Sequence, residues 1–478
     1  MPHLPQRSLR VATAVGAAAL GLALAAPASA DGSFGPLPPQ NPHTAPNGTA
    51  TMHGDTASSD TTPYGSPGTG RIDAVRRGLA AACPAITVGA DGMPVALCTE
   101  VLGRTPVVHL LNPDTGRSLA SLRVEKGALF GGVYAFLDDA DRLVLVDGDH
   151  NLLRISHRRT WLGWRLEVAS STSLDAAIPD GASVVGLSPG WDGEVWFAAS
   201  DGTVGTVDPD GTVRTTALGE PVQNSISTVP GLTGVVTEHA LYGVKRGADG
   251  APAVAWRQPY DRGPSRKPGQ LSWGSGATPT FFGPVDGTEY VAITDNAAPH
   301  ENLIVRRSAD GAAVCRLPVL TDHAASGTED SMIASGRSMI VTNTYGYPYP
   351  ASPEGVPDPV PATADFDGGM TRVDVRADGS GCDVVWENDV ASAALPRLSL
   401  ADDLITTITV DGPTGLVGSH TIAAYSYATL DPHTGAELSA SFLGLGLAYN
   451  PLQMTGTTAA NGTLYQGTET GIVRISRD

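Results

Sequence analysis

Carboxylate and amide side chains stand at corresponding places in neighbouring stretches of this sequence, where they could bind a cation. Asp295 and Asn296 follow one apolar run, and Asn343 follows another that Glu329 precedes. Ca²⁺ accepts several such oxygen donors and tolerates irregular geometry. We therefore predict a calcium site whose ligands are Asp295, Asn296, Glu329 and Asn343. The alternative is that Asx residues at these places end strands by hydrogen-bonding nearby backbone.

A bound cation would polarise the carbonyl of an ester or lactone, and a histidine could then act as the base. His300 and His323 are the candidates that lie near these donors in the sequence. The same stretch therefore allows a metal-assisted lactone or ester hydrolase. No catalytic residue is assigned, because the Gly-x-Ser-x-Gly letters at 186–190 lack the following helix that a nucleophile elbow requires.

A second candidate site is a loop in which three tyrosines alternate with glycine and proline, within residues 343–369. Tyrosines offer rigid contact surfaces with a polar tip, which suits carbohydrate or peptide recognition. The alternative is that tyrosine and proline only stiffen a long insertion. The predicted ligand-binding residues are Tyr345, Tyr347, Tyr349, His300 and Arg397.

The chain is acidic, with a net charge of −19 from 30 basic and 49 acidic residues. Such a charge disfavours nucleic acid and anionic membranes as partners. We expect a ligand that is a small molecule, a glycan such as a cell-wall glycan, or a peptide. We also expect no nucleic acid, no membrane insertion and a monomer.

The scaffold for these residues is predicted to be all-β. Asx-Gly pairs recur between apolar runs, and glycine supplies the positive φ that tight hairpin turns require. Examples are Asp210-Gly211, Asp249-Gly250, Asp310-Gly311 and Asp378-Gly379. Their irregular spacing is typical of a propeller with loop insertions. We predict a β-propeller of four-stranded antiparallel blades, eight in number with seven as the alternative, opening near Ile86, Val133, Val184, Ser225, Thr278, Ser331, Arg397 and Pro451.

Blades 5 to 7 of this propeller have the long connections between second and third strands, at residues 295–301, 343–369 and 411–419. Long loops on a rigid scaffold are where function concentrates. We therefore predict that the ligand binds at the face formed by blades 5 to 7. The hydrolase alternative uses the same channel mouth.

The first residues have the composition of an export signal, with Arg7 and Arg10 before an apolar run and a small-residue cleavage pattern at 28–30. We predict a signal peptide over 1–30, a disordered Pro/Gly/Thr-rich leader over 31–70 and the propeller over 71–478. Residues 71–82 are compatible with a short helix, and a strand from before Cys83 could close the ring. The protein is expected to be secreted, extracellular or associated with the cell wall.

Four cysteines remain in the exported chain, and an even number in an oxidising compartment favours disulfides. Cys83 and Cys98 flank one predicted hairpin. Cys315 and Cys382 occupy matching places in the fourth strands of successive units. We predict the pairs Cys83–Cys98 and Cys315–Cys382.

Two turns carry a longer pattern, with LNPDTG at 111–116 and LDPHTG at 430–435. They resemble the Asp-x-x-Thr-Gly turn of quinoprotein-like propeller repeats, which implies the propeller fold. In quinoprotein dehydrogenases it also implies pyrroloquinoline quinone and calcium. No two cysteines here are adjacent, and the tryptophan that ends many such repeats is mostly missing, so we expect the fold without the quinone. A second resemblance, by residue type and position, is to calcium-dependent lactonase and gluconolactonase propellers, and it implies calcium at the metal residues named above.

Overall fold

The computed structural model describes Met1 and residues 34–127, 134–412 and 422–478. Within residues 34–478 so described, the strands form eight four-stranded antiparallel blades arranged in a ring, one blade with an added fifth strand. The predicted eight-bladed, all-β propeller is confirmed. Apart from Met1, the predicted signal peptide lies outside the described residues. No helix in the described ranges is long and apolar enough to cross a membrane.

The strands of the first half are given blade by blade, from the channel outward. Blade 1 has Ala81–Val88, Pro94–Glu100, Pro106–Leu111 and Ser118–Arg123; blade 2 has Phe136–Leu137, Leu143–Val146, Asn151–Thr160 and Gly163–Ser173. Blade 3 has Val184–Pro189, Val195–Ala199, Thr203–Val207 and Val213–Ala217; blade 4 has Ile226–Val229, Leu232–Val236, Ala240–Arg246 and Pro252–Pro259. A single turn of 3₁₀ helix, Asp175–Ala177, precedes blade 3.

The second half follows the same pattern. Blade 5 has Thr280–Phe282, Tyr290–Thr294, Asn302–Arg307 and Ala313–Pro318; blade 6 has Ile333–Ser335, Ser338–Thr342, Met370–Val375 and Cys382–Asn388. Blade 7 has Arg397–Ser399, Leu404–Asp411, Ala424–Leu430 and Glu437–Leu445; blade 8 has Thr457–Thr458, Leu464–Thr468 and Gly471–Arg477, with its outer strand from elsewhere in the chain. Residues 413–419 of the predicted blade 7 loop lie outside the described residues.

The ring closes with a strand from before Cys83. Ile72–Gly78 is the outer strand of blade 8 and pairs antiparallel with Gly471–Arg477, so that Ile72 faces Arg477 and Gly78 faces Gly471. This is the closure that the sequence left open as a possibility, and the short helix considered for residues 71–82 is replaced by a strand. The backbone groups of these residues satisfy the open edge of blade 8, which a helix would leave unpaired.

An indole covers a turn of the next blade at two places. Trp386, from the outer strand of blade 6, donates from Nε1 to the Pro432 carbonyl at 3.0 Å. Gly435 in that turn has a φ of +72°, and a Cβ there would lie 2.6 Å from the indole. Trp256 covers Gly311 of blade 5 in the same way. These turns need glycine both for its backbone conformation and for the space that the indole occupies.

We expect Trp386→Phe to lower the free energy of unfolding by about 1–2 kcal/mol, because the smaller ring leaves a gap and removes a donor. The Pro432 carbonyl keeps its hydrogen bond from Arg372 Nη1 at 3.0 Å, so no acceptor is left unpaired. Urea unfolding measures the difference. Trp161→Phe, at a side chain that is 92% exposed, is the control and should stay within about 0.5 kcal/mol of wild type. Equal losses in the two variants would contradict the covering role.

Two disulfides bond the cysteine pairs predicted from the sequence. Cys83–Cys98 links the first two strands of blade 1, and Cys315–Cys382 links the outer strands of blades 5 and 6. Both bonds indicate an oxidising environment.

Residues 34–70 pack against the propeller, which differs from the expected disordered leader. Residues 48–62, here called the channel segment, lie along the inner strands, and Thr61–Thr62 pairs parallel with Leu398–Ser399. Inner-strand N–H groups donate to its carbonyls in the order of the blades, at 2.7 to 3.1 Å. The pairs are Val88 to Thr49, Leu137 to Ala50, Thr228 to Thr56, Phe281 to Ala57, Ala334 to Ser59 and Leu398 to Asp60. The channel segment therefore satisfies the inner edges of the blades.

Candidate functional site

Two long excursions meet on the face that carries the connections between second and third strands. One is the connection between blades 4 and 5, residues 260–279, and the other is the blade 6 loop, residues 343–369. The Gly346 N–H donates to the Pro268 carbonyl at 3.0 Å. The Thr344 hydroxyl donates to the Gly269 carbonyl at 2.7 Å, and the Val360 N–H donates to the Arg266 carbonyl at 2.9 Å. These bonds fix the two excursions against each other.

A cavity of about 240 Å³ lies between the two excursions and opens to solvent; we call it the loop pocket. Its wall combines charged, amide, hydroxyl and aromatic groups. They belong to Arg266, Gln270, Ser352, Asp358, Thr363, Tyr347 and Tyr349, with proline, glycine and alanine filling the rest. An apolar wall with a few convergent polar groups is the usual form of a small-ligand site.

Arg266 is a charged pocket residue with an unused hydrogen-bonding group. Its side chain is buried, Nε donates to Pro357 O at 2.6 Å, and Nη1 donates to Gln270 O at 2.5 Å. Within the described residues, Nη2 has no acceptor and the guanidinium forms no ion pair. Burial lowers the pKa of Arg266, and the carboxylates of Glu329 and Asp358 oppose this effect. An arginine remains charged at neutral pH, so the pocket presents a positioned guanidinium cation whose Nη2 hydrogens are free to bind a ligand.

Two of the three predicted tyrosines line the pocket, and their rings pack together within the loop. Tyr347 packs edge-on against Tyr349 and Phe366, with ring centroids 5.0 and 5.3 Å apart. Its hydroxyl donates to Asn450 Oδ1 at 2.5 Å. Tyr347 and Tyr349 belong to the wall of the loop pocket, whereas Tyr345 stands outside it. Tyr347 therefore stiffens the loop from within the pocket wall, and ligand recognition by the tyrosines stays a prediction.

A buried lysine anchors the connection that carries Arg266, and a buried glutamate lies near it. Lys267 Nζ donates to the carbonyls of Ala297 at 2.5 Å and Ser326 at 2.6 Å. Glu301 Oε2 accepts from the Thr328 N–H at 3.0 Å. Burial raises the pKa of Glu301 to about 8, although the nearby Lys267 charge opposes the rise. Burial also lowers the pKa of Lys267. The Glu301 carboxyl is therefore mainly protonated in the folded protein at neutral pH.

The first predicted calcium ligand, Asp295, is fully engaged with protein donors. Its Oδ1 accepts from the N–H groups of Asn302 at 2.7 Å and Ala297 at 3.1 Å. Its Oδ2 accepts from Arg316 Nη2 at 2.8 Å and from Asn302 Nδ2 at 2.9 Å. This arrangement is the capping alternative that the sequence left open.

The other predicted ligands lie on the same face with separate partners. Glu329 Oε2 accepts from the Leu271 N–H at 2.8 Å, and Asn343 Oδ1 accepts from the Tyr345 N–H at 3.1 Å. Asn296 Oδ1 has no partner among the described residues. In the same ranges, no group of three or more His, Cys, Asp or Glu residues is placed to hold a metal ion. The calcium site stays a prediction, which metal analysis of the purified protein tests.

The two remaining predicted ligand-binding residues do not line the loop pocket. His300 Nε2 hydrogen-bonds the His323 carbonyl at 2.8 Å within its own loop region. Arg397 lies in the channel with 2% of its surface exposed, and it donates to Gly48 O at 3.1 Å and Met52 O at 2.7 Å. The channel segment covers Arg397, which differs from the ligand-binding role predicted for it.

A histidine, an aspartate and a serine also meet in the channel. His53 Nδ1 lies 3.0 Å from Asp60 Oδ2 and 3.0 Å from Ser331 Oγ, which itself donates to Asp60 at 2.6 Å. The serine and the aspartate contact the same ring nitrogen, so the imidazole cannot pass a proton between them as in a hydrolase triad. All three side chains are buried. The cluster therefore joins the channel segment to blade 6.

A second cavity, of about 480 Å³, lies on the opposite face between blades 2 and 3. Both of its arginines pair with Asp138, Arg142 at 2.8 Å and Arg154 at 3.2 Å. The other charged groups of its wall, Asp139, Asp192 and Glu194, are acidic.

Sequence reasoning missed the connection between blades 4 and 5, which supplies Arg266, Lys267 and Gln270. A usable signal was present: this connection is long, and it places Arg266 and Lys267 between Pro264 and Pro268. Adjacent basic residues framed by prolines in a long connection indicate positioned cations rather than a flexible charged surface.

No protein-family model and no curated protein sequence matches this chain. Among solved structures it is similar to BamB from Moraxella catarrhalis, at 14% identity and a TM-score of 0.39, over 70% of this chain and 93% of the other. It is also similar to Sqt1 from Chaetomium thermophilum, at 11% identity and a TM-score of 0.49, over 85% of this chain and 100% of the other. A third is the quinohemoprotein alcohol dehydrogenase from Comamonas testosteroni, at 9% identity and a TM-score of 0.37, over 91% and 80%. All three are β-propellers, and the strand order of this chain makes it one with eight blades.

Proposed function

We propose that this protein is exported and binds, in the loop pocket, a single sugar-acid or amino-acid unit of a glycan or peptide. The observation that carries the proposal is the buried Arg266 guanidinium, whose Nη2 has no acceptor among the described residues and which lines an open cavity. Two disulfides support the exported state.

The size of the pocket supports a small ligand. Its volume of about 240 Å³ lies just below the range of roughly 300–1,000 Å³ for drug-sized ligands. It holds about eight water molecules, at about 30 Å³ each. One sugar ring or one amino-acid residue fits such a space, and a longer chain would continue into solvent.

The chemistry of the wall supports a ligand with a carboxylate and neighbouring polar hydrogens. Arg266 favours an anionic oxygen, because hydrogen bonds between charged partners are the stronger ones. Asp358 in the same wall accepts hydrogens from hydroxyl or amino groups. Tyr347 and Tyr349 add ring surface, on which the apolar face of a sugar or side chain packs.

We test the site by filling it. Ala362 is an exposed residue of the pocket wall, so Ala362→Trp occupies the cavity without disturbing the core. Saturation-transfer-difference NMR is measured with glucuronate against glucose, and with N-acetyl-Ala-Ala against its C-terminal amide. We expect a carboxylate probe to bind wild type at least tenfold more tightly than its neutral partner, and Ala362→Trp to abolish the signal.

The control is Ala313→Trp, at an exposed position on the outer strand of blade 5, which should bind as wild type does. Binding that survives Ala362→Trp would overturn the site. Failure of both carboxylate probes to exceed their neutral partners would overturn the ligand class.

A further inference from the structure

The outer hairpin of blade 2 projects from the propeller. The second strand of this blade, Leu143–Val146, pairs with Leu152–Ile155 only, whereas the hairpin continues to Thr160 and Gly163. Five further cross-strand pairs lie beyond the sheet, from Ser156–Glu167 to Thr160–Gly163. At about 3.3 Å per residue, the tip stands roughly 17 Å beyond the last pair of the sheet.

The tip of this hairpin is apolar and exposed. Trp161 and Leu162 form its two-residue turn and are 92% and 78% exposed. The hairpin is held in place below its tip: His157 Nε2 lies 2.7 Å from Asp91 Oδ2 in blade 1. Trp164, one pair from the turn, packs against the core between blades 1 and 2. Large apolar side chains exposed together on a protein surface mark interaction sites. Trp161 and Leu162 are exposed together in this way, at the end of a hairpin that is fixed in place.

Three arginines surround the tip, although the chain as a whole carries a net charge of −19. Arg158 lies directly across from Arg165, a like-charge pair that costs stability. The charge of Arg158 is neutralised by Glu167, whose Oε1 lies 2.9 Å from Arg158 Nε. Arg159 and Arg165 are exposed and form no ion pair with any described residue. The tip is therefore locally cationic as well as apolar.

We propose that this hairpin tip docks the protein on an anionic lipid bilayer. Tryptophan prefers the boundary between headgroups and acyl chains, and arginines beside it attract anionic headgroups. The tip is convex and only two apolar residues wide, which suits insertion into a lipid interface better than packing into a protein groove. The acidic remainder of the surface is repelled by such a bilayer, so the protein docks tip first.

The orientation follows from the topology. Turns between third and fourth strands lie at the opposite end of a blade from connections between second and third strands. The hairpin tip and the loop pocket therefore face opposite ways, and a docked protein presents its pocket away from the membrane. The docking proposal does not depend on what the pocket binds.

The test is flotation of the full exported chain with vesicles of phosphatidylcholine alone or with 30% phosphatidylglycerol. Two double variants remove the apolar tip (W161A/L162A) or the unpaired charges (R159Q/R165Q). The control is F442A/L445A, which removes two exposed apolar side chains from blade 7 (66% and 60% exposed). All the changed side chains are exposed, and melting temperatures equal to wild type establish that the variants fold.

We expect wild type and the control to bind the anionic vesicles and not the neutral ones. Each tip variant should lower the partition coefficient at least tenfold. Equal binding to neutral vesicles, unchanged binding of W161A/L162A or no binding by wild type would each overturn the proposal. Binding of soluble polyglutamate that depends on the arginines but not on Trp161 would assign the tip to an acidic polymer instead.

Discussion

Arg397→Met lowers the free energy of unfolding by about 3–5 kcal/mol, the range for breaking a buried charge pair from one side. Arg397 donates to Gly48 O at 3.1 Å, to Met52 O at 2.7 Å and to Thr455 Oγ1 at 3.0 Å, and it lies 3.6 Å from Asp60. Methionine fills a similar space but donates no hydrogen bond. The fully buried Asp60 then loses its arginine, and two channel-segment carbonyls lose their donors.

Urea unfolding monitored by circular dichroism measures this loss. Arg376→Met is the matched control, since Arg376 pairs with Asp383 at a site where both side chains are about half exposed. An exposed pair contributes about 0–1 kcal/mol. A loss of under 1 kcal/mol for Arg397→Met would contradict the conclusion that this arginine fastens the channel segment.

We expect buried carboxyls with raised pKa values, Glu301 and Asp55 among them, to make stability fall as the pH rises from about 5 to 8. Burial raises the pKa of Glu301 from 4.5 to about 8 and that of Asp55 from 3.8 to about 6. Between its ordinary and its raised pKa, each carboxyl holds a proton in the folded chain and has lost it in the unfolded chain. Each can then remove up to about 1.4 kcal/mol per pH unit over that interval. Asp55 adds to the slope up to about pH 6, and Glu301 acts up to about pH 8.

Glu301→Gln tests this assignment. The quantity to compare is the slope of the free energy of unfolding against pH, and not the stability at a single pH. Its amide oxygen can still accept from the Thr328 N–H, and its amide nitrogen can donate to Thr294 Oγ1, which lacks a partner among the described residues. We expect urea unfolding between pH 6 and 8 to show a flattened slope for Glu301→Gln. The control, Glu437→Gln at an exposed position, should follow wild type. An unchanged slope in Glu301→Gln would contradict a proton on Glu301.

The features that the sequence predicts correctly are local. Asp210-Gly211 and Asp310-Gly311 need only their neighbours to form a turn, and their glycines have φ of +84° and +70°. The cysteine pairing followed from the same register, because Cys315 and Cys382 stand at matching places in successive blades. Tight turns repeated at blade spacing therefore determine both the architecture and the disulfides.

The features that the sequence does not predict depend on distant partners. Residues 48–62 contain few large apolar side chains and read as disordered, yet the inner strands hold them through hydrogen bonds rather than apolar burial. That channel segment then buries Arg397, for which the sequence predicts a ligand-binding role. Arg266 reaches its pocket through contacts with a loop that lies far from it in the sequence.

We propose that ligand binds in the loop pocket and not in the channel, which residues 48–62 occupy. Crystals soaked with whichever carboxylate probe binds more tightly test this claim most directly. We predict difference density between the blade 4–5 connection and the blade 6 loop, with a ligand oxygen within hydrogen-bonding distance of Arg266 Nη2. Density in the channel or in the cavity between blades 2 and 3, with none in the loop pocket, would contradict it.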